Sequence, residues 1–538
     1  LVERERWPDR ARATEALAVA ALIALAYLLL RTAPALAAGA FMDDGVYLSL
    51  GKALADGEGY RSVYAAGAPV HLKYPPALPF LHSILWRVRG DLAFVHSAAL
   101  LLSVVATACT AGILWWIARA RLELPALLVA VLVVGPFLLE GSVQYFNLAI
   151  SEPWFMLGWA SCLLLAPLTS TRLGWAVGVG ALAGVTALFR AQAVVLLPAL
   201  AAAVWLQGRD PRRAGALVGG GVVPIAAWTL WHRSLVATGP VSTQPDEGAY
   251  TTWAPDSALE AVVDGGRVLW SHATGYWDVL PVNLAPWAWL GAVVWVVMLA
   301  TFLLGVVRHG REHPAIVLTI AAAGAAVLVW PFTQDRFVLA ILPFAGLMTA
   351  LECRSLALLR RPALATALAV IVGVVGIRQV QIRGLAESAE PTDTAVRFHP
   401  AQLLPANTEF VIAASRWIGA SARPDDRLLT PLPSALWLYT RRQGVNSVPA
   451  LPSVGSSVFD EPGRFLASRV VEDDVTLLLL WNPSFLITRD AATVQQACPE
   501  ALEFLTLTEE PARVAIFRIR RDDPCLVDRF LAPARTPS

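Results

Sequence analysis

Apolar residues in this chain gather in long blocks and do not alternate with polar ones at a helical or a strand period. Eleven blocks of about 17 or more mostly apolar residues lie near 13–32, 92–117, 124–139, 153–168, 173–189, 191–206, 214–231, 287–307, 314–331, 337–351 and 362–378. A helix of that length, rising about 1.5 Å per residue, crosses a hydrocarbon core about 30 Å thick. The pattern predicts a polytopic α-helical membrane protein. The first block is too long for a cleaved signal peptide, and Arg31 and then Asp43 follow it without a small-x-small site, so it is read as a span.

Composition agrees with that class. Hydrophobic residues make up 56% of the 538 positions, charged residues 15%, and the mean hydropathy is +0.57, far from an ordinary soluble domain. A net charge of +1 points to neither a nucleic-acid binder nor an acidic scaffold. Only Lys52 and Lys73 are lysines, against an otherwise arginine-only basic set, which gives each of them added weight.

Basic residues in short connections fix the expected orientation. With a cytoplasmic N-terminus, the inner segments carry Arg4, Arg6, Arg10 and Arg12, then Arg119 and Arg121, Arg172, Arg209 with Arg212 and Arg213, Arg308 with Arg311, and Arg354 with Arg360 and Arg361. The outer face then receives a first loop at about 33–91, the connection around 140–152, turns at Arg190 and Arg336, a loop at about 232–286, and everything after about 379. The expected organisation is a membrane domain over 1–380 and an extracytoplasmic α/β domain over 381–538. In the latter, strand-like runs at 428–430, 485–488 and 514–519 and a helix-like run at 409–419 are separated by Pro-rich turns. Cys498 and Cys525 both fall there, in a compartment that permits a disulfide, with the spacing leaving their pairing open. Neither a CxxC pair nor an HExxH occurs, so a structural zinc site has no support.

The outer loops hold the candidate chemistry. Asp43 and Asp44 stand just past the first span, where acids usually mark function. Val46, Tyr47, Leu50, Ala53 and Leu54 predict an amphipathic helix along the membrane surface, ended by Gly57, Gly59 and Tyr60. Asp44 is the better cap for that helix, which favours Asp43 as the working carboxylate with the roles exchangeable. In His71-Leu-Lys-Tyr-Pro-Pro76, two prolines hold Lys73 on a rigid backbone at headgroup level, a suitable place for a phosphate contact. His71 reads as an exposed loop histidine of incidental role. Glu152 opens the fourth span on the same face, Arg190 with Gln192 interrupts two apolar runs, and Arg336 occupies the turn before the tenth span. Carboxylates suit removal of a proton from an attacking hydroxyl, and cations suit a departing phosphate.

In this arrangement the chain resembles the GT-C class of integral-membrane glycosyltransferases, most nearly the branch of protein O-mannosyltransferases, lipid A aminoarabinose transferases and RgtA/B/C/D-like bacterial enzymes. The resemblance is carried by Phe41-Met-Asp-Asp-Gly-Val-Tyr47, Gly57-Glu-Gly-Tyr60, Lys73-Tyr-Pro-Pro-Ala-Leu-Pro79, Ser151-Glu152 and Arg336-Phe-Val-Leu-Ala-Ile-Leu-Pro343. It covers about residues 1–380 in layout. It implies a GT-C-like fold with about 11 transmembrane helices and inverting transfer of a sugar from a polyprenyl-phosphate donor to a lipid, glycan or protein acceptor outside the bacterial cytoplasmic membrane. The resemblance also implies roles: Asp43 or Asp44 as base, Glu152 shaping the acceptor side, and Lys73 on the donor phosphate with Arg190 and Arg336 beside it. Tyr47, Tyr74, His71 and Gln192, which neighbour these residues in the sequence, are further candidates for substrate binding. The mannosyltransferases commonly carry Asp-Glu where this chain has Asp-Asp. No obligatory metal or cofactor is expected, although a divalent ion could bridge the carboxylates. A transporter or glycolipid flippase is the competing class. It predicts paired repeats with broken helices near the midplane, and the two halves of this sequence carry no such repeat. An assembly protein working through its outer domain leaves the first-loop acids without a task.

Overall fold

A long apolar run satisfies its backbone only as a helix when no water is available, and the apolar blocks among the described residues are helical. The computed structural model describes residues 10–29, 36–240, 288–328, 335–355, 400–447, 463–481, 486–508 and 512–531. Among them, six helices are long and apolar enough to cross a membrane: α1 (Arg10–Leu29), Leu92–Arg121, Glu152–Ser170, Ala191–Gly208, Pro211–Thr238 and Gly291–His309. Shorter apolar helices occupy Ala126–Leu138, Leu173–Phe189 and Pro314–Leu328, and the tenth block forms Asp335–Leu339 and Leu342–Ser355. The eleventh block and the expected boundary near 380 lie outside the described residues.

One pair of helices shows how tightly the bundle packs. Leu173–Phe189 and Pro211–Thr238 approach until a Cβ on Gly180 would overlap the Leu217 carbonyl and one on Gly220 the Val177 carbonyl. Small residues let backbones meet where lipid offers no hydrophobic drive for association. Gly180→Leu is expected to cost at least about 1–3 kcal/mol and lower the thermal midpoint, while Gly178→Leu, on the same helix with open space at its Cβ, leaves it near wild type. Equal midpoints for the two variants would contradict this packing.

The two ends of the bundle differ in chemistry. At one end Arg121 donates to the carbonyls of Leu163 and Leu164, Arg354 to that of Leu122, and Arg119 pairs with Glu15 at 3.2 Å. Arg121 and Arg354 thereby cap helix C-termini, where cations are favourable. At the other end lie the first loop and the turns at 152, 190 and 336.

Within the first loop, α2 (Asp43–Asp56) ends at Gly57, whose φ of 82° completes a left-handed cap. It is not the surface-lying helix expected from its pattern. Gly45, Tyr47, Leu48, Leu50, Gly51, Ala53 and Leu54 are all buried, because α3 (Ala77–Val88) packs on one side and the C-terminal domain covers another. A Cβ on Gly51 would stand 2.6 Å from the Cβ of His82, and one on Gly45 2.7 Å from the Oγ of Ser434. The membrane-surface pattern belongs instead to α3, where Phe80, Ile84 and Val88 form an exposed stripe and His82, Ser83 and Trp86 face inward.

The C-terminal region is an α/β unit with a five-stranded sheet in the order β2-β1-β3-β5-β4. Strands β1 (Leu428–Thr430), β2 (Gly444–Asn446) and β3 (Leu477–Leu480) are parallel, joined through the helices Pro433–Thr440 and Arg464–Glu472. β4 (Leu502–Leu507) and β5 (Ala515–Ile519) complete the sheet in antiparallel fashion. The expected strand at 485–488 is instead the start of the helix Leu486–Ala497, since the all-leucine β3 already fills the buried centre. Cys498 and Cys525 form a disulfide that ties the end of that helix to the segment after β5.

Candidate active site

Four segments bring their polar residues together at the loop-bearing end of the bundle. α2 begins at Asp43, directly after a γ-turn in which the Asp43 amide donates to the Phe41 carbonyl at 2.9 Å and Met42 sits at φ 72°, ψ −68°. That turn aims Asp43 away from the helix axis. Its carboxylate pairs with the Arg336 guanidinium at 2.7 Å and accepts a 2.6 Å hydrogen bond from the Tyr74 hydroxyl. Burial works to raise its pKa, but Arg336, then Lys73, and the Tyr74 bond outweigh it and hold the carboxyl below its ordinary value.

Asp44 points the other way. It accepts from the amides of Gly39 at 2.9 Å and Phe41 at 3.1 Å, and it is 1% exposed. The expected cap therefore works backwards: Asp44 bonds the turn that precedes α2, since a residue already inside the first turn reaches upstream amides more readily than those of its own helix. Burial pushes this carboxyl up to about 7 against the lowering effect of the Gly39, Phe41 and Gly45 amides.

Arg336 is the centre of the cluster. The short helix Asp335–Leu339 places it inward, 6% exposed, where it reaches Asp43 and also Glu152 at 3.1 Å. Glu152, fully buried at the start of its helix, pairs in turn with Arg190 at 3.0 Å. Both cations also lie over the ring of Phe337, at 4.7 Å for Arg190 and 5.2 Å for Arg336. Glu152 thus spends its charge holding two arginines and does not face outward as a separate acid. Arg190 donates to Gln192 at 2.8 Å and to the Ser151 hydroxyl at 3.0 Å, and Tyr47 donates to the same hydroxyl at 3.2 Å. Ser151 joins α2, the start of the helix Glu152–Ser170 and the turn at Arg190; a serine before an acid carries no sequence signal for that junction.

Lys73 stands at the edge of this group with Nζ 5.1 Å from the Tyr74 ring centre. Its loop is held from below by His71, which is not the exposed incidental residue expected. His71 is 1% exposed; Nε2 accepts from the Tyr74 amide at 3.0 Å, and Nδ1 lies 2.9 Å from the Ser62 hydroxyl. His232, on the helix Pro211–Thr238, reaches the His71 carbonyl at 2.9 Å. An apolar wall of Phe155, Val327, Phe337 and Ile341 continues from Glu152, Arg190 and Gln192 as a small cleft. Among the described residues no three His, Cys, Asp or Glu side chains gather as a metal site, and the carboxylates of Asp43 and Glu152 both lie against Arg336.

No protein-family model and no curated protein matches the sequence. Among solved structures, ArnT from Cupriavidus metallidurans in the apo state superposes with a TM-score of 0.57 at 13% identity, covering 94% of this chain and 98% of that one. The same protein bound to undecaprenyl phosphate gives 0.56 at 13%, covering 95% and 98%. With this likeness running nearly end to end, the chain has the GT-C glycosyltransferase fold.

Proposed function

We propose that the protein is an inverting glycosyltransferase that moves a sugar from a polyprenyl-phosphate carrier to an acceptor hydroxyl on the outer face of the bacterial cytoplasmic membrane. The observation that carries this reading is Arg336 bridging Asp43 and Glu152 beside Lys73 and Arg190, a base and a cationic clamp in one place. The likeness to ArnT, one structure of which holds undecaprenyl phosphate, supports a lipid-linked donor. About eleven spans, a cytoplasmic N-terminus and an extracytoplasmic domain from about 381 belong to the same reading, as does the absence of an obligatory metal.

The chemistry follows from the charges. The acceptor oxygen attacks the anomeric carbon from the face opposite the phosphate, its proton passes to Asp43, and the bond to the phosphate oxygen breaks with its electron pair. Lys73, Arg336 and Arg190 hold the phosphate as its charge grows. A donor phosphate competes with Asp43 for Arg336, so donor binding removes the counter-ion that depresses the base and makes it a better proton acceptor.

The test uses the purified protein with polyprenyl-phosphate pentoses and hexoses and native envelope extract as acceptor source. Release of free polyprenyl phosphate is expected, and Lys73→Ala is expected to raise the donor KM about 10-fold or more while the acceptor KM stays within about twofold. Transbilayer movement of the intact glycolipid without release of polyprenyl phosphate would replace this reading with a flippase, and an unchanged donor KM would remove Lys73 from the clamp.

A further inference from the structure

The backbone that presents Asp43 has no polar side chain of its own between Leu36 and Met42, yet all its amide donors from Ala37 to Asp43 are satisfied. Ala40, Met42 and Asp43 donate within the loop, and Gly39 and Phe41 donate to Asp44. The remaining two leave the membrane domain. Ala37 donates to the Thr408 hydroxyl at 3.1 Å and Ala38 to the Tyr439 hydroxyl at 2.9 Å. In the other direction, Asn407 donates to the Ala40 carbonyl at 2.6 Å.

These partners sit on two helices of the C-terminal unit, Pro400–Ser421 and Pro433–Thr440. The fit is close. Gly39, at φ 88°, lies under Ala435 so that a Cβ would come 2.5 Å from the Cβ of Ala435, and Ala37 is buried in the same apolar cluster as Phe410, Leu428 and Leu436. Met42 meanwhile occupies a γ-turn conformation that L-residues rarely adopt and that persists only where surroundings over-determine it. The loop cannot supply that determination alone, because its side chains are mostly alanine and glycine.

We infer that the C-terminal α/β unit is a positioning element for the Asp43 carboxylate: Asn407, Thr408 and Tyr439 clamp residues 37–42 and hold the γ-turn at Met42 that aims Asp43 at Arg336. These three residues touch no reacting atom in this scheme. They act through the loop, and the effect on catalysis rests on the reading of Asp43 as the base. A displacement of about 1 Å in a catalytic group can cost about 100-fold in rate, so loss of a clamp bond appears in kcat and not in donor binding.

The experiment uses the full chain in nanodiscs with Asn407→Ala, Tyr439→Phe, Thr408→Val and the conservative Thr408→Ser. Two readouts are taken: amide hydrogen exchange over 37–43, and kcat and donor KM for sugar transfer. The first three variants are expected to speed exchange in that segment, with β1 and β3 protected as in wild type, and to lower kcat about 10- to 100-fold with donor KM within about twofold; Thr408→Ser restores both. Wild-type exchange in Asn407→Ala and Tyr439→Phe overturns the clamp whatever the activity. Faster exchange in a protein that transfers no sugar, wild type included, upholds the clamp and overturns the transferase reading instead. Faster exchange with unchanged kcat overturns the link between the clamp and Asp43.

Discussion

Asp43→Asn is expected to lower kcat for sugar transfer by about 10²- to 10⁴-fold, the usual contribution of a positioned base, while the variant is made and inserted as wild type. Asp44→Asn is expected to behave differently. The amide retains only one acceptor oxygen where the carboxylate uses two, on Gly39 and Phe41, so a buried backbone donor loses its partner at about 1–3 kcal/mol. The thermal midpoint falls, and kcat falls less than for Asp43→Asn because Asp43, the proposed acceptor of the proton, is still present. The acid limb of kcat/KM provides an independent discrimination. A base must be deprotonated, so activity falls as pH drops through its pKa. With Asp43 as base that limb lies below the ordinary carboxylate range in the free enzyme, and with Asp44 it lies near 7. A limb near 7 together with an active Asp43→Asn variant would exchange the two roles.

The difference between the two aspartates marks how far the sequence could be read. Asp43, Glu152, Arg190 and Arg336 were legible as charges sharing one end of the bundle because each interrupts or borders an apolar block, and alternation of spans puts them on one side. That they meet as an alternating chain of acid and base depends on how helices distant in sequence are arranged around each other, which no local pattern encodes. The same holds for α2 and α3. The apolar positions of α2 fit a surface helix only until the C-terminal unit covers Gly45 and Leu48, whereas Phe80, Ile84 and Val88 stay open. His71 looked exposed because two of its partners, Ser62 and His232, lie 9 and 161 residues away in the chain, and only Tyr74 is a near neighbour. The clamp on residues 37–42 was the least visible feature, since its acceptors and donors on one side are all backbone.

Arg336→Ala is expected to be the most destabilising single change at the site. The side chain is buried between Asp43 and Glu152, and removing one partner of a buried ion pair typically costs about 3–5 kcal/mol because the remaining charges are left in a poor solvent. Glu152 keeps Arg190, and Asp43 keeps Tyr74 and the field of Lys73, so the loss falls short of that of a fully isolated charge pair. Arg336→Lys retains the charge but offers a compact ammonium in place of a planar fork that reaches two carboxylates, and its midpoint falls between wild type and Arg336→Ala. The coupling is separable by a double-mutant cycle on thermal or denaturant unfolding in one detergent. Adding Glu152→Gln to Arg336→Ala removes a carboxylate that has lost a counter-ion, and the double variant is expected to be less destabilised than the sum of the singles by about 0.5–3 kcal/mol. Strict additivity would mean that Glu152 and Arg336 are neighbours without energetic coupling, and the role of Glu152 in holding the cationic clamp would fall with it. On the proposed mechanism activity is lost in every member of the cycle that lacks Arg336, because the same guanidinium that balances two carboxylates in the free protein is the group the donor phosphate would take over.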